Sequence, residues 1–369
     1  VTNIQAGGLA DQLGCSSPQK ELPTFADGWV STPAGDVPRV RTELDDIDRR
    51  GALKSRLSNF RMSFTVEPGL YAVGSPNYNS EVILSANYKL SFDHLRRELG
   101  GLDVWILVLD TDGINVWCAA GKGSFGTEEI ILRIKESGLS FLVSHRRVIS
   151  PQLGAPGIKA HEVKKGSGFR VHYGPVRAAD LRAYIEAGLE STPEMRKVNF
   201  PFMERVVLTP MELIPSLKYF PLFVLIVLLA FGLRKEGIIF SDAIIGGWPF
   251  VLLGFAAAIS GSVITPALLP WIPFRGFALK GLLTGLAITF VLVELAGIDA
   301  FENSMLLRAT AYSLFPVISS YIALQFTGST TYTNMSGVNR ELRHILPVYL
   351  IAVVSSLVLM AIYKLGQLG

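Results

Sequence analysis

The sequence predicts an α/β domain on a mainly parallel, Rossmann-like sheet, followed by an all-α membrane domain of five transmembrane helices. Three observations lead there. The 369 residues are 49% hydrophobic, with a mean hydropathy of +0.38, too apolar for an ordinary soluble enzyme. The apolar excess is confined to the second half. The first half instead alternates short β-type runs with amphipathic segments, the pattern of a parallel sheet crossed by helices. The expected organisation is an N-terminal arm and helix over 1–55, the α/β domain over 56–200, and the membrane domain over 201–369.

Residues 1 to about 40 have the Gly, Pro and Ser content of a loosely structured arm. Thr42-Glu43-Leu44-Asp45 resembles a capping box and opens a helix through the fifties. Val82–Ala86 reads as a strand, and 91–99 as a helix with Leu95 and Leu99 on one face. The run Val104–Leu109 (VWILVL) reads as a strand buried on both faces. Asp110-Thr111-Asp112-Gly113 supplies a turn, and Asn115 is an N-cap for a short helix. Thr127 caps a helix over 128–136. Segments 140–144, 162–164 and Arg170–Tyr173 read as strands, and 177–187 as a closing helix. Ligands on such sheets bind beyond the carboxyl ends of the strands, where Asn87, Thr111 and the Cys118 helix fall.

The second half carries apolar stretches at 217–233, 244–264, 281–298, 305–326 and 345–363, each near the roughly 17–25 residues that cross a bilayer. Gly246, Gly247, Pro249 and Pro316 are tolerable inside such helices. Arg275 and Lys280 mark one short loop and Arg340 and Arg343 another. Asp299 and Glu302 lie between them, while Arg234 and Lys235 argue the other way. Positive-inside counting favours a cytoplasmic soluble domain on a multi-pass protein of the cytoplasmic (inner) membrane, and no signal peptide is read ahead of it. Glu294 and Arg308 read as interfacial. Without the acidic or histidine series of an ion relay, the helices read as anchor or assembly surface.

Candidate chemistry centres on Asn115-Val116-Trp117-Cys118-Ala119-Ala120-Gly121-Lys122. With Asn115 as cap, Cys118 falls in the first helical turn, where free N–H groups and the helix dipole favour a thiolate. Trp117, Ala119 and Ala120 would let a large flat partner sit close. Gly121 to Gly126 matches GxGxxG, but eleven residues separate Leu109 from Gly121 and no acidic residue follows for a ribose, so dinucleotide binding fails on spacing. A phosphate loop fails too, because Gly123 stands where Ser or Thr is needed. The five histidines lack metal-ligand spacing, and a net charge of +3 without a basic-aromatic patch excludes nucleic acid. Only Cys15 and Cys118 exist, so the chain cannot build an iron–sulfur cluster alone. Cys15 reads as an exposed thiol without a role.

On the intact octapeptide 115–122, the chain resembles the HgcA family of mercury-methylating corrinoid proteins. Matching stretches at 82–90 (VILSANYKL), Gln152–Gly157 (QLGAPG) and 168–176 (GFRVHYGPV) extend the likeness, as does the soluble-then-five-span layout. The α/β domain is also similar to the corrinoid-binding part of the corrinoid iron–sulfur protein of acetyl-CoA synthesis, without its cluster domain. The resemblance implies a base-off cobalt corrinoid with Cys118 as lower axial ligand, the rest of the octapeptide around it, and Asn87, Thr111, Gln152, Gly154 and Gly157 near the corrin edge and tail. Asp-x-His-x-x-Gly, the histidine motif of other base-off proteins, is absent. The implied activity is an anaerobic methyltransferase passing methyl from methyl-cobalt(III) to Hg(II). Methyl comes from a methyltetrahydrofolate-linked source, and electrons from a ferredoxin-like partner with two 4Fe–4S clusters (HgcB). A corrinoid methyl carrier with another acceptor, a membrane corrinoid-binding or transport module, and a redox thiol enzyme stand as alternatives.

Overall fold

The computed structural model describes residues 21–326 and 335–368; Cys15 lies outside them. The first half runs β1 (Ala26–Thr32), β2 (Gly35–Val40), α1 (Asp46–Leu57), β3 (Gly69–Val73), β4 (Val82–Ala86), α2 (Lys89–Glu98), β5 (Val104–Leu109), α3 (Val116–Lys122), α4 (Thr127–Glu136), α5 (Leu139–Leu142), β6 (Arg147–Ser150), α6 (Ala160–Ser167), β7 (Arg170–Tyr173) and α7 (Leu181–Glu186). The strands form one sheet in the order β1-β2-β3-β5-β4-β6-β7. Pairs β2–β3, β4–β5, β4–β6 and β6–β7 are parallel, whereas β1–β2 and β3–β5 are antiparallel.

All six residues of β5 are buried because helices cover both faces of the sheet. Alternation divides them: Leu107 and Leu109 pack with Phe125, Ile130 and Val163, and Ile106 and Val108 with Phe92, Leu95 and Leu181. Four buried charges tie α1 to α2. Lys89 Nζ lies 2.7 Å from Asp48 and 2.6 Å from Asp93, and Arg96 lies 2.5 Å from Asp48 and 2.7 Å from Asp93. Burial opposes ionisation of Asp48, but the hydrogen bonds and charges of Lys89 and Arg96 outweigh it and hold the carboxyl at about 2.

Several elements differ from the sequence reading. The expected loose arm contains the β1–β2 hairpin, turned at Gly35 with φ +112°. The capping box is formed by Asp45 and Asp48, three residues beyond Thr42, so α1 starts at Asp46. Segment 140–144 is not a strand. Gly138, left-handed at φ +60°, opens α5 there, and the strand follows at Arg147–Ser150. A five-residue apolar run carries too little periodicity to separate the two states. Segment 162–164 belongs to α6, which ends on left-handed Gly168. No strand is expected at Gly69–Val73, where β3 lies, and its antiparallel pairing with β5 makes the sheet mixed.

The second half is helical. It comprises α8 (Phe202–Leu208), α9 (Pro210–Lys218), α10 (Phe220–Gly232), a two-stranded turn of β8 (Leu233–Arg234) and β9 (Gly237–Ile238), and α11 (Phe240–Ile259). Helix α11 continues through a π-helical turn, Ser260–Ile264, into α12 (Thr265–Ala267). Then come α13 (Phe277–Phe290) with a second π turn, Val291–Leu295, followed by α14 (Asp299–Glu302), α15 (Met305–Gln325) and α16 (Met335–Leu368). Among the described residues three helices, Phe240–Ala267, Phe277–Leu295 and Gly337–Gln367, are long and apolar enough to cross a membrane. A fourth is added if Phe202–Lys218 and Phe220–Gly232, bent by 41°, form one broken span. Helix α15, expected as a span, is long enough at 21 residues but is diluted by Arg308, serines and Gln325. It packs against α11, α13 and α16, so its buried Thr310, Ser319 and Ser320 meet protein. Ser320 Oγ donates to the Ala278 carbonyl at 2.6 Å, and Ser319 Oγ lies 2.9 Å from the Gly281 carbonyl oxygen. Gly281 permits that approach: a Cβ there would stand 2.5 Å from that of Ala323. Glu294 pairs with Arg308 and accepts from Tyr312 Oη at 3.2 Å.

Candidate functional site

The turn after β5 is built by a side chain from the neighbouring strand. Asn87, just past β4, accepts at Oδ1 from the N–H groups of Thr111 (3.1 Å) and Gly113 (3.0 Å). Its Nδ2 donates to Asp110 at 3.0 Å. The Thr111 hydroxyl lies 2.7 Å from both Asn87 Oδ1 and the Ile114 carbonyl oxygen. Both residues are buried, so they shape the turn that launches α3. Left-handed Gly113 (φ +69°) completes it.

Asn115 has extended backbone geometry, and its side chain accepts the Cys118 N–H at 2.9 Å. Cys118 is thereby fixed in the first turn of α3. The thiol is half-buried, and burial pushes its pKa up, against the opposing pull of Lys122, Arg61 and a hydrogen bond with Asn115. Desolvation thus works against the thiolate that the helix start and the neighbouring charges favour. Arg61 comes from the turn Asn59–Met62, which no local motif had linked to the cysteine.

Behind α3 lies the 3-10 segment Gln152–Gly157. A Cβ on Gly157 would stand 2.3 Å from the Phe125 carbonyl oxygen and 3.1 Å from Ala120 Cα. One on Gly154 would meet the Phe125 ring at 2.5 Å. These glycines let the segment press on α3 through buried Ala119, Ala120 and Phe125. The Gln152 N–H reaches the Pro175 carbonyl at 3.4 Å. Gly121 and Lys122 are exposed, and left-handed Gly123 ends the helix.

Asn115, Val116 and Trp117 border a hollow of about 380 Å³ that sequence reasoning missed. It extends between the ends of β4 and β6 and helix α2, walled by Ile83, Leu95, Ile149, Pro151, Leu153 and Val176, with Ser91 and His94 on the α2 side. Parts of its wall come from the three stretches that carried the family resemblance, but nothing in their order announces that they meet. Among the described residues, no group of three His, Cys, Asp or Glu side chains is placed to hold a metal ion.

The profile of the CO dehydrogenase/acetyl-CoA synthase delta subunit family (CdhD) matches residues 57–182. The acetyl-CoA decarbonylase/synthase complex subunit gamma of Methanopyrus kandleri is 31% identical over 123 residues, 33% of this chain and 26% of that protein. The subunit of the same name from Methanocaldococcus jannaschii is 40% identical over 92 residues, 24% and 19% of the two chains. The corrinoid/iron-sulfur protein large subunit of Moorella thermoacetica is 30% identical over 128 residues, 34% and 28%. The chain thus spans about a quarter of the length of the curated relatives it matches. The α/β half is a domain similar to a corrinoid protein, and the family match ends before the helical half.

Proposed function

We propose that this chain is a membrane-anchored corrinoid protein that holds a base-off cobalt corrinoid through Cys118 and transfers methyl to Hg(II), giving methylmercury. The observation that carries the reading is a single thiol on a capped helical turn beside an apolar hollow. A bare metal ion needs three or four protein ligands. One sulfur suits a metal whose remaining positions are filled by a macrocycle. The residues fit the group: Cys118 for the cobalt, Val116 and Trp117 at the mouth of the hollow, and Ile149, Leu153 and Val176 around the nucleotide tail. At about 380 Å³ the hollow lies low in the roughly 300–1,000 Å³ range of small-molecule sites, with room for a heterocycle and its sugar but not for the corrin.

Cys118 would hold the cobalt of the corrinoid, which when bound would supply methyl-group transfer, and the electron-rich sulfur would favour passing that group to a soft acceptor. The chain's own residues prepare that ligand. Burial raises the pKa of the sulfur, so a cobalt held there would have to displace its proton. Asn115 fixes the first turn, Asn87 and Thr111 fix the approach to it, and Gly154 and Gly157 set the support behind. With two cysteines in all, electrons must come from outside, from a ferredoxin-like protein with two 4Fe–4S clusters (HgcB). Methyl enters from a methyltetrahydrofolate-linked source. Helix α15 and the bent pair Phe202–Lys218 and Phe220–Gly232 join the three apolar helices to give five spans, with the α/β domain on the cytoplasmic side.

Purified with its corrinoid, the protein is expected to show a thiolate–cobalt absorption that Cys118→Ala abolishes together with methylmercury formation. Unchanged mercury methylation in that variant sinks the reading. Cys118→His should retain corrinoid but transfer methyl to mercury poorly. The similarity to acetyl-CoA complex subunits favours a second reading, a methyl carrier with a different acceptor. Wild-type protein that takes up methyl yet yields no methylmercury would support it.

A further inference from the structure

The hollow beside α3 has carbon walls and few polar side chains. Ser85 Oγ already donates to the Ala86 carbonyl at 3.1 Å, and Asn115 Oδ1 is engaged by Cys118. Ser91 and His94, three positions apart on α2 and therefore neighbours on one helix face, supply the remaining polarity. His94 also borders a smaller hollow of about 240 Å³ between α1 and α2, so its ring stands in the wall between the two. Its side chain is exposed to the solvent that fills these hollows. Partial desolvation by the α1 and α2 side chains around it, with the guanidinium groups of Arg97 and Arg56, lowers its pKa. The ring is then neutral at physiological pH, with one N–H donor and one acceptor.

We infer that His94 donates a hydrogen bond to the ring nitrogen of the displaced nucleotide base, and that the hollow selects benzimidazole-type over adenine-type tails. The inference rests on the corrinoid reading above. A base displaced from cobalt leaves uncovered the nitrogen that had been its ligand. Among carbon walls such an acceptor is costly unless a donor meets it. Dimethylbenzimidazole otherwise presents only carbon, which Ile149, Pro151 and Leu153 suit. Adenine brings an exocyclic amine and further ring nitrogens, more polar groups than Ser91 and His94 can satisfy.

The test uses the full-length apoprotein in detergent, titrated spectrophotometrically with cobalamin, an adenine-tailed corrinoid and tail-less cobinamide. Wild type is expected to bind cobalamin about tenfold more tightly than the adenine form, the scale of one unmet hydrogen bond. His94→Ala should weaken cobalamin binding about tenfold while leaving cobinamide binding unchanged, which also reports an intact fold. His94→Gln, which keeps an N–H donor, should restore most of the loss. Equal weakening of cobinamide, or undiminished cobalamin binding by His94→Ala, overturns the inference. Wild type that binds cobalamin and cobinamide equally well overturns it alone, whereas wild type that binds no corrinoid removes the corrinoid reading as well.

Discussion

Asn115 shows how much one side chain can settle. It ends the turn, caps α3 and fixes the amide of the very residue proposed as metal ligand. Asn115→Ala should cost about 1 kcal/mol, read by chemical denaturation of the full chain in detergent, whereas Asn115→Asp keeps the acceptor and most of the stability. Cys118 carries the second prediction at this scale. Because burial raises its pKa, the apoprotein holds less thiolate at neutral pH than a free cysteine does. Alkylation of Cys118 by iodoacetamide, followed by peptide mass spectrometry, should reach half-maximal rate at a pH above that of a small thiol. A midpoint below it would contradict the burial argument. The cap–cysteine spacing was legible because it is local. The Asn87–Thr111 contact was not, because residues 24 apart meet only through the parallel register of β4 on β5. His94 was invisible for the same reason: its neighbours come from other elements.

Elements were legible where periodicity was long and misread where it was short. The alternation of β4, α2 and β5 survives in the structure, while a five-residue run before β6 turned out helical. The α1–α2 contact holds a sharper lesson, since four charges that look like solvated helix faces are buried together. Lys89→Met leaves two carboxylates short of a buried partner and should cost about 3–5 kcal/mol in denaturant melts. The pH dependence follows from Asp48. Its folded pKa of about 2 lies below its ordinary 3.8, so its stabilisation is present above 3.8 and is lost as pH falls toward 2. Comparing acid unfolding of wild type and Asp48→Asn should show that extra loss in wild type alone. Behind the site, Gly157→Ala forces a methyl against the Phe125 carbonyl and should destabilise by about 1–3 kcal/mol.

Across the whole molecule, the sequence divides a mixed sheet from a helical bundle, but hydropathy is a poor guide to a helix surrounded by others. Helix α15 hides its serines against α13, so span number must be measured. In a variant with both native cysteines replaced, Arg275→Cys and Glu302→Cys, at exposed positions on either side of α13, should label from opposite sides of sealed vesicles. Labelling from one side would remove α13 as a crossing. The two halves also meet, through Arg177 and Glu204 at 3.1 Å and through α1 against α9. Helix α3 is anchored before its first residue by Asn87 and from behind by the segment carrying Gly157. A ligand mounted this way is a preorganised socket: its ordering entropy is settled when the domain folds, and no loop has to close when a cofactor arrives.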